Sequence, residues 1–443
     1  MENQTLFGAP EHELPSYLEK VQCQLPALHL LMQMGYRYLP PEETVELRNK
    51  RLGAVVLEPI LIDHIRTQCR YEFKGAVHHF TENAIQNAIQ TIKSFRATGA
   101  LHQNEQIYDL LCLGTSVPQT VEGDTKSFTI DYIDWKNPAN NTYHCTAEFK
   151  VERVGYDKHY IPDIVLLVNG IPLVVIECKR SAYAQIKKEP IELAIDQLSD
   201  YQARDGIPQL FLYSQLLLAL ARDKSRYGTT GTLRQFWAAW QEDRLDDPIR
   251  KLLEMPLSQN DMVLLLSGPF ADVRNEYLKI IDQGRETYEQ DLALYALCRP
   301  ERLLELAYKF ILFDNGTKKI ARYQQYFTVH DIMNRVLSEH STGSRPGGVV
   351  WHTQGSGKSL TMVMLAKSLA LHPDIANPKI VLVTDRIDLD DQICGTFRAC
   401  SLEPEQANTG KHLVELLQDH RTHIVTTLIH KFAVAASNKN LQA

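Results

Sequence analysis

Residues 161–179, IPDIVLLVNGIPLVVIECK, constrain the fold of this chain more than any other stretch. Two aliphatic, largely β-branched runs flank Asn169-Gly170, a dipeptide whose tolerance of positive φ makes it a strong hairpin signal. Residues 164–168 and 173–176 are so uniformly apolar that the hairpin must be covered on both faces, as inside a layered α/β sheet. Asp163 opens the first strand. Glu177 and Lys179 close the second, two positions apart, so their side chains leave one face. Charges that end central strands lie at the sheet edge, where sites form. Taken alone, the same pattern also describes a sheet edge with charged strand ends.

The flanking chain fits an α/β domain. Ile85, Ala88, Ile89, Ile92 and Phe95 recur at helical spacing, with Thr81 as an N-cap. Residues 116–152 are rich in β-branched and aromatic residues and read as strands. Residues 190–205 read as a helix, with Pro190 in its first turn and Gly206 at its stop, and residues 209–220 as another strand. On that helix Gln197 and Tyr201 lie away from the Ile191, Ile195 and Leu198 core stripe, as site residues or a solvated face would. The spacing implies three parts: a domain over 1–230, a helical connector over 231–300, and an α/β segment over 301–443.

The hairpin's charged residues suit one chemistry. Asp163 and Glu177 are hard oxygen ligands for Mg²⁺, with the Cys178 backbone carbonyl as a third. Such a metal activates water and offsets phosphate charge, and Lys179 would orient or deprotonate that water. Net charge is −7, so contact with DNA must come from a local basic groove. The eight cysteines show no C-x-x-C spacing, which excludes a zinc site and fits reduced thiols in the cytoplasm. No apolar run is long enough to span a bilayer and no signal peptide opens the chain.

The second strong signal is Thr353-Gln354-Gly355-Ser356-Gly357-Lys358-Ser359, expected to follow a short strand over 349–352 and to open a helix over 359–371. Glycines there let backbone N–H groups turn toward phosphate oxygens, and the helix N-terminus adds its dipole. Lys358 suits the β/γ-phosphates of ATP and the Ser359 hydroxyl a Mg²⁺ position. His352 stands where the usual first glycine belongs.

Around this loop the chain resembles superfamily 2 nucleic-acid motors. Gln325 in RYQQYF resembles their adenine-reading glutamine, the strand 380–383 ending in Thr384-Asp385-Arg386 resembles motif Ia, and residues 424–432 resemble motif Ib. Pro162-Asp163 with Glu177-Cys178-Lys179 resembles the PD-(D/E)xK nuclease signature, and Gln197-x-x-x-Tyr201 the extra motif of its RecB-like branch. That branch often adds an upstream helical glutamate, for which Glu19 and Glu82 are both candidates. Together, a PD-(D/E)xK nuclease domain followed by a RecA-like motor lobe resembles the restriction (R) subunit of type I restriction-modification enzymes. The resemblance implies ATP-driven translocation of double-stranded DNA, Mg²⁺-dependent cleavage of unmethylated DNA far from the recognition site, and methylase (M) and specificity (S) subunits as partners. No Walker B pair is seen, so the expectation is an N-terminal piece with an incomplete first motor lobe and no ATP turnover of its own. The rival classes are a free-standing repair helicase–nuclease and a non-catalytic DNA-binding ATPase scaffold.

Overall fold

The computed structural model describes residues 19–94, 100–181, 189–338 and 346–436; Phe95 of the expected 82–95 helix lies outside them. Two compact units divide between Leu304 and Glu305.

The first unit is built on a six-stranded mixed sheet whose spatial order follows the chain: β1 (Arg37–Leu39), β2 (Tyr143–Ala147), β3 (Ile164–Val168), β4 (Ile171–Lys179), β5 (Leu216–Ala221) and β6 (Lys224–Gly228). β1 and β2 are parallel, as are β4 and β5, and the other neighbours are antiparallel. The β3–β4 hairpin lies at the centre, and all of its residues but Lys179 are buried. Asn169 and Gly170 sit at φ 52° and 81°, both positive as the tight two-residue hairpin turn requires. Pro172 has no N–H to give the ladder, and a β-bulge between Pro172 and Val174 absorbs it.

The turn is itself a buried hub. The Asn169 amide donates to the carbonyl of Tyr132 (3.0 Å) and to Asn141 Oδ1 (2.8 Å), and its Oδ1 accepts from Thr142 N (2.8 Å). Helix α1 (Leu25–Gln33) is buried along nearly its whole length and packs on β2. Helix α2 (Pro190–Gln202) crosses from β4 to β5 and packs on both. It ends before residue 205, and Gly206 sits where a Cβ would lie 2.5 Å from the Tyr201 carbonyl. The strand expected over 209–220 is shorter. Pro208–Phe211 turns as a helix, because Pro208 begins it and lacks a ladder donor, and pairing starts only at Leu216.

Residues 231–300 pack inside this first unit. Helix α3 (Glu289–Cys298) lies against α1, Tyr36 Oη donates to the Cys298 carbonyl (2.6 Å), and the buried Arg285 pairs with Asp291 while reaching the Pro26 carbonyl (3.3 Å).

In the second unit β7 (Ile380–Thr384), β8 (Glu405–Gln406) and β9 (Ile424–Leu428) form a parallel sheet in the order 7-9-8. β7 is half-exposed because among the described residues it pairs on one side only. The strand expected over 349–352 does not form. Val349 is 95% and Trp351 90% exposed, and among the described residues no strand pairs with them, so their backbone has no ladder to join. No helix among the described residues is long and apolar enough to cross a membrane.

Candidate nuclease centre and phosphate loop

The centre lies where β4 outruns β3. Pairing between them stops at Ile176–Ile164, whereas β5 accompanies β4 as far as Lys179. Beyond Ile176 the β3-side edge of β4 is taken by Asp163, whose Oδ2 accepts from Cys178 N at 2.7 Å. The N–H and C=O of one strand residue point to the same side, so the Cys178 carbonyl faces this edge as well.

Asp163 and Glu177 are buried, and Lys179 Nζ donates to Glu177 Oε1 at 2.8 Å. Glu177 Oε2 is buried with no hydrogen-bond partner. Burial pushes the Glu177 carboxyl well above its ordinary value, and the Asp163 charge adds to that. Burial also raises Asp163, against the pull of Lys179 and the Cys178 N–H. Burial disfavours the Lys179 ammonium, but Glu177, Asp163 and Glu19 outweigh it and hold the lysine firmly protonated.

Of the two upstream candidates, Glu19 lies beside this cluster and Glu82 does not. Glu19 is 9% exposed, and its carboxyl is pushed up to about 7 by burial, with Lys179 opposing and Asp163 adding to the shift. Glu82 is exposed and forms a two-pronged pair with Arg66 (2.8 and 2.9 Å). Tyr201, off the apolar stripe, is fully buried: its Oη accepts from Gln197 Nε2 (2.6 Å) and donates toward the Ile161 carbonyl (3.3 Å). Burial and the charges of Glu177 and Asp163 raise its phenol, which keeps it a neutral donor beside the acids. One contact had no signal in the sequence. Gln24 Nε2 donates to Asp163 Oδ1 at 2.9 Å.

With Asp163, Glu177 and Glu19 all ionised, the negative charge would exceed that of Lys179 and the neighbouring Arg180, and a divalent cation would balance the excess. Among the described residues no three His, Cys, Asp or Glu side chains form a ready cage. The donors at hand are Asp163, Glu177 with its unpartnered Oε2, and the Cys178 carbonyl. That sparse oxygen set suits Mg²⁺, which keeps several of its waters.

In the second unit Thr353–Gly357 turns tightly, with Gly355 and Gly357 at φ 77° and 80°, and helix Lys358–Ala370 starts directly after it. Ser359 therefore occupies the first helical turn. Lys358 Nζ and Ser356 Oγ both donate to the Thr353 carbonyl at 2.8 Å, while Thr353, Gln354 and Gly355 are exposed. Gln325 is buried beneath the loop. Its Oε1 accepts from Arg322 N (2.9 Å) and its Nε2 donates to the Gly357 carbonyl (3.2 Å), so its amide reads the loop's own backbone. A side chain at 357 would place Cβ 2.7 Å from that amide. His352, in place of a glycine, is tied to Thr328 Oγ1 at 2.9 Å.

Residues 16–236 match the family model described as the type I restriction enzyme R protein N terminus, and residues 324–443 match the SWI2/SNF2 ATPase model. Among similar curated proteins, the HindI type I endonuclease subunit of Haemophilus influenzae is 28% identical over 425 residues, covering 92% of this chain and 36% of the relative. A putative type I subunit of Methanocaldococcus jannaschii, MjaIXP, is 26% identical over 412 residues with the same coverage. The SauCOLORF180P subunit of Staphylococcus aureus is 26% identical over 316 residues, or 70% of this chain and 28% of the relative. The chain thus spans little more than a third of the length of the first two. Its α/β nuclease-like unit, followed by the start of a motor lobe, corresponds to the N-terminal region of these subunits, and the chain belongs to the type I restriction enzyme R protein family.

Proposed function

We propose that the first unit is a Mg²⁺-dependent endonuclease, with Asp163, Glu177 and the Cys178 carbonyl as the metal-holding groups and Lys179, Gln197 and Tyr201 completing the site. The observation that carries this reading is the buried Glu177 Oε2, which no N–H or O–H meets, beside Asp163 and Lys179 at an open strand edge. An ionised, orphaned carboxylate oxygen costs several kcal/mol unless a cation meets it or the group takes up a proton. When bound, Mg²⁺ supplies Lewis-acid polarisation of water and phosphate.

The remaining work falls to the chain. Lys179, held protonated and anchored on Glu177, acts as a positive donor to the scissile phosphate and the attacking water; its firm protonation disfavours proton abstraction. Gln197 donates to Tyr201 Oη, and the phenol reaches toward the Ile161 carbonyl, two residues before Asp163, and toward Glu177.

The phosphate loop binds ATP through residues 353–359, with Lys358 on the phosphates and Ser359 on the nucleotide's Mg²⁺. Beyond its two backbone bonds Gln325 keeps one amide N–H and one oxygen lone pair for contact with adenine. In the complete enzyme this motor would drive double-stranded DNA past an assembly with methylase and specificity subunits in the cytoplasm, and the nuclease would cut unmethylated substrate away from the recognition site. We divide the chain functionally into 1–230 for cleavage, 231–300 as a helical support, and 301–443 for the first motor lobe. The metal site is tested with Mn²⁺ as an anomalous scatterer in crystals of the chain. The expected result is a peak touching both Asp163 and Glu177, lost in Glu177→Gln; a peak elsewhere, or one unchanged in the variant, would refute the site.

A further inference from the structure

We propose that Gln24 is a positioning residue that fixes the Asp163 carboxylate for metal binding. The inference rests on the metal-site reading above. Asp163 is buried among acids, yet each of its oxygens receives one hydrogen bond: Oδ2 from Cys178 N at 2.7 Å and Oδ1 from Gln24 Nε2 at 2.9 Å. Two donors on opposite oxygens lock the plane of the carboxylate and leave one lone pair on each oxygen for other partners. Cys178 N is a backbone group and part of the strand. Gln24 reaches Asp163 from a separate helical element, whereas the other side chain that hydrogen-bonds to it, Glu177, is itself one of the metal-holding acids.

The backbone is shaped to deliver it. Residues Lys20–Gln24 form a π-helical turn closed by Leu25 N to the Lys20 carbonyl. In an α-helix, residues five apart are separated by about 140° around the axis. The wider i→i+5 turn brings such residues nearly one above the other, and π-turns recur at functional sites. Glu19 and Gln24 are five apart, and both meet Asp163, one through its charge and the other through its amide. The turn is braced from outside the sheet: Lys20 Nζ donates to the Pro269 carbonyl at 2.6 Å and Gln290 Nε2 to the Gln22 carbonyl at 3.5 Å. Gln24 is fully buried and its Oε1 has no partner. Simple packing would be better served by an apolar residue, because a buried amide with one orphaned end is costly.

The test is Mn²⁺ binding to the 443-residue chain without nucleotide or DNA, followed by titration calorimetry, for wild type, Gln24→Leu, Gln24→Met and Glu177→Gln. Neighbours that orient metal ligands typically contribute about 10- to 100-fold in affinity. Both Gln24 variants should lose Mn²⁺ affinity by about that factor, and in the complete enzyme the Mg²⁺ concentration for half-maximal cleavage should rise in parallel, with cleavage recovering at high Mg²⁺. A folded Gln24 variant with affinity within about twofold of wild type, while Glu177→Gln loses binding, would overturn the Gln24 assignment alone. If Glu177→Gln also keeps wild-type affinity, the metal-site reading itself fails. Failure of both Gln24 variants to fold would make Gln24 a structural residue and equally overturn the proposal.

Discussion

At the scale of single residues, the two units handle buried charge in opposite ways. The candidate nuclease centre gathers acids that burial raises, with Asp163 adding to the shift of Glu177 and Glu19, whereas Glu305 in the motor unit is fully provided for. Its Oε2 accepts from Tyr326 Oη at 2.5 Å and His330 Nε2 at 3.1 Å, with Lys309 nearby. Burial opposes the charge, but His330, Tyr326 and Lys309 outweigh it and hold the carboxyl at about 2 instead of 4.5. A depressed carboxylate contributes stability that is present above pH 4.5 and lost as pH falls toward 2. Glu305→Gln is therefore expected to destabilise the motor unit by about 1–3 kcal/mol at pH 7, with the gap to wild type closing as the solution is acidified through that range. Urea unfolding at pH 7 and near pH 3 measures this, and a pH-independent gap would contradict it.

At the scale of elements, the β3–β4 hairpin positions everything else. Its turn is pinned by Leu57 N donating to the Gly170 carbonyl at 2.8 Å, and a Cβ at Gly170 would lie 2.5 Å from the Leu57 carbonyl. Gly170→Ala should cost at least about 2 kcal/mol through backbone strain and collision together. Gly75→Ala, at a similar φ of 76° but with open space around it, should cost about 1 kcal/mol. Equal losses in thermal or denaturant melts would show that the close approach is unimportant. This hairpin was legible in the sequence because its signals are local: two apolar runs, Asn-Gly, and charges at the strand ends. The role of Gln24 was not, since a spacing of five matches neither the helix nor the strand period and depends on a π-turn. The choice of Glu19 over Glu82 needed tertiary contact, as both sit at the start of helical segments. The strand before the phosphate loop was expected from composition alone, but a strand also needs a neighbour, and residues 349–352 have none among those described.

At the scale of the whole molecule, the two candidate sites lie in separate units, and each can be tested by itself. Residues 231–300, which carry no catalytic pattern, pack on α1 and hold the turn bearing Glu19 and Gln24 through Pro269 and Gln290, so they belong to the architecture of the nuclease unit. The phosphate loop sits in the other unit, with its own sheet and its own buried glutamine. The central claim is that Asp163, Glu177 and Lys179 cut DNA while the loop at 353–359 serves the motor. The most direct measurement is DNA cleavage and ATP hydrolysis, side by side, in the complete enzyme assembled with its partner subunits and carrying Lys179→Ala. Cleavage should fall by at least about 100-fold, as expected when a main electrostatic stabiliser of a transition state is removed, while ATP hydrolysis stays at the wild-type rate. Cleavage that persists unchanged would contradict the account.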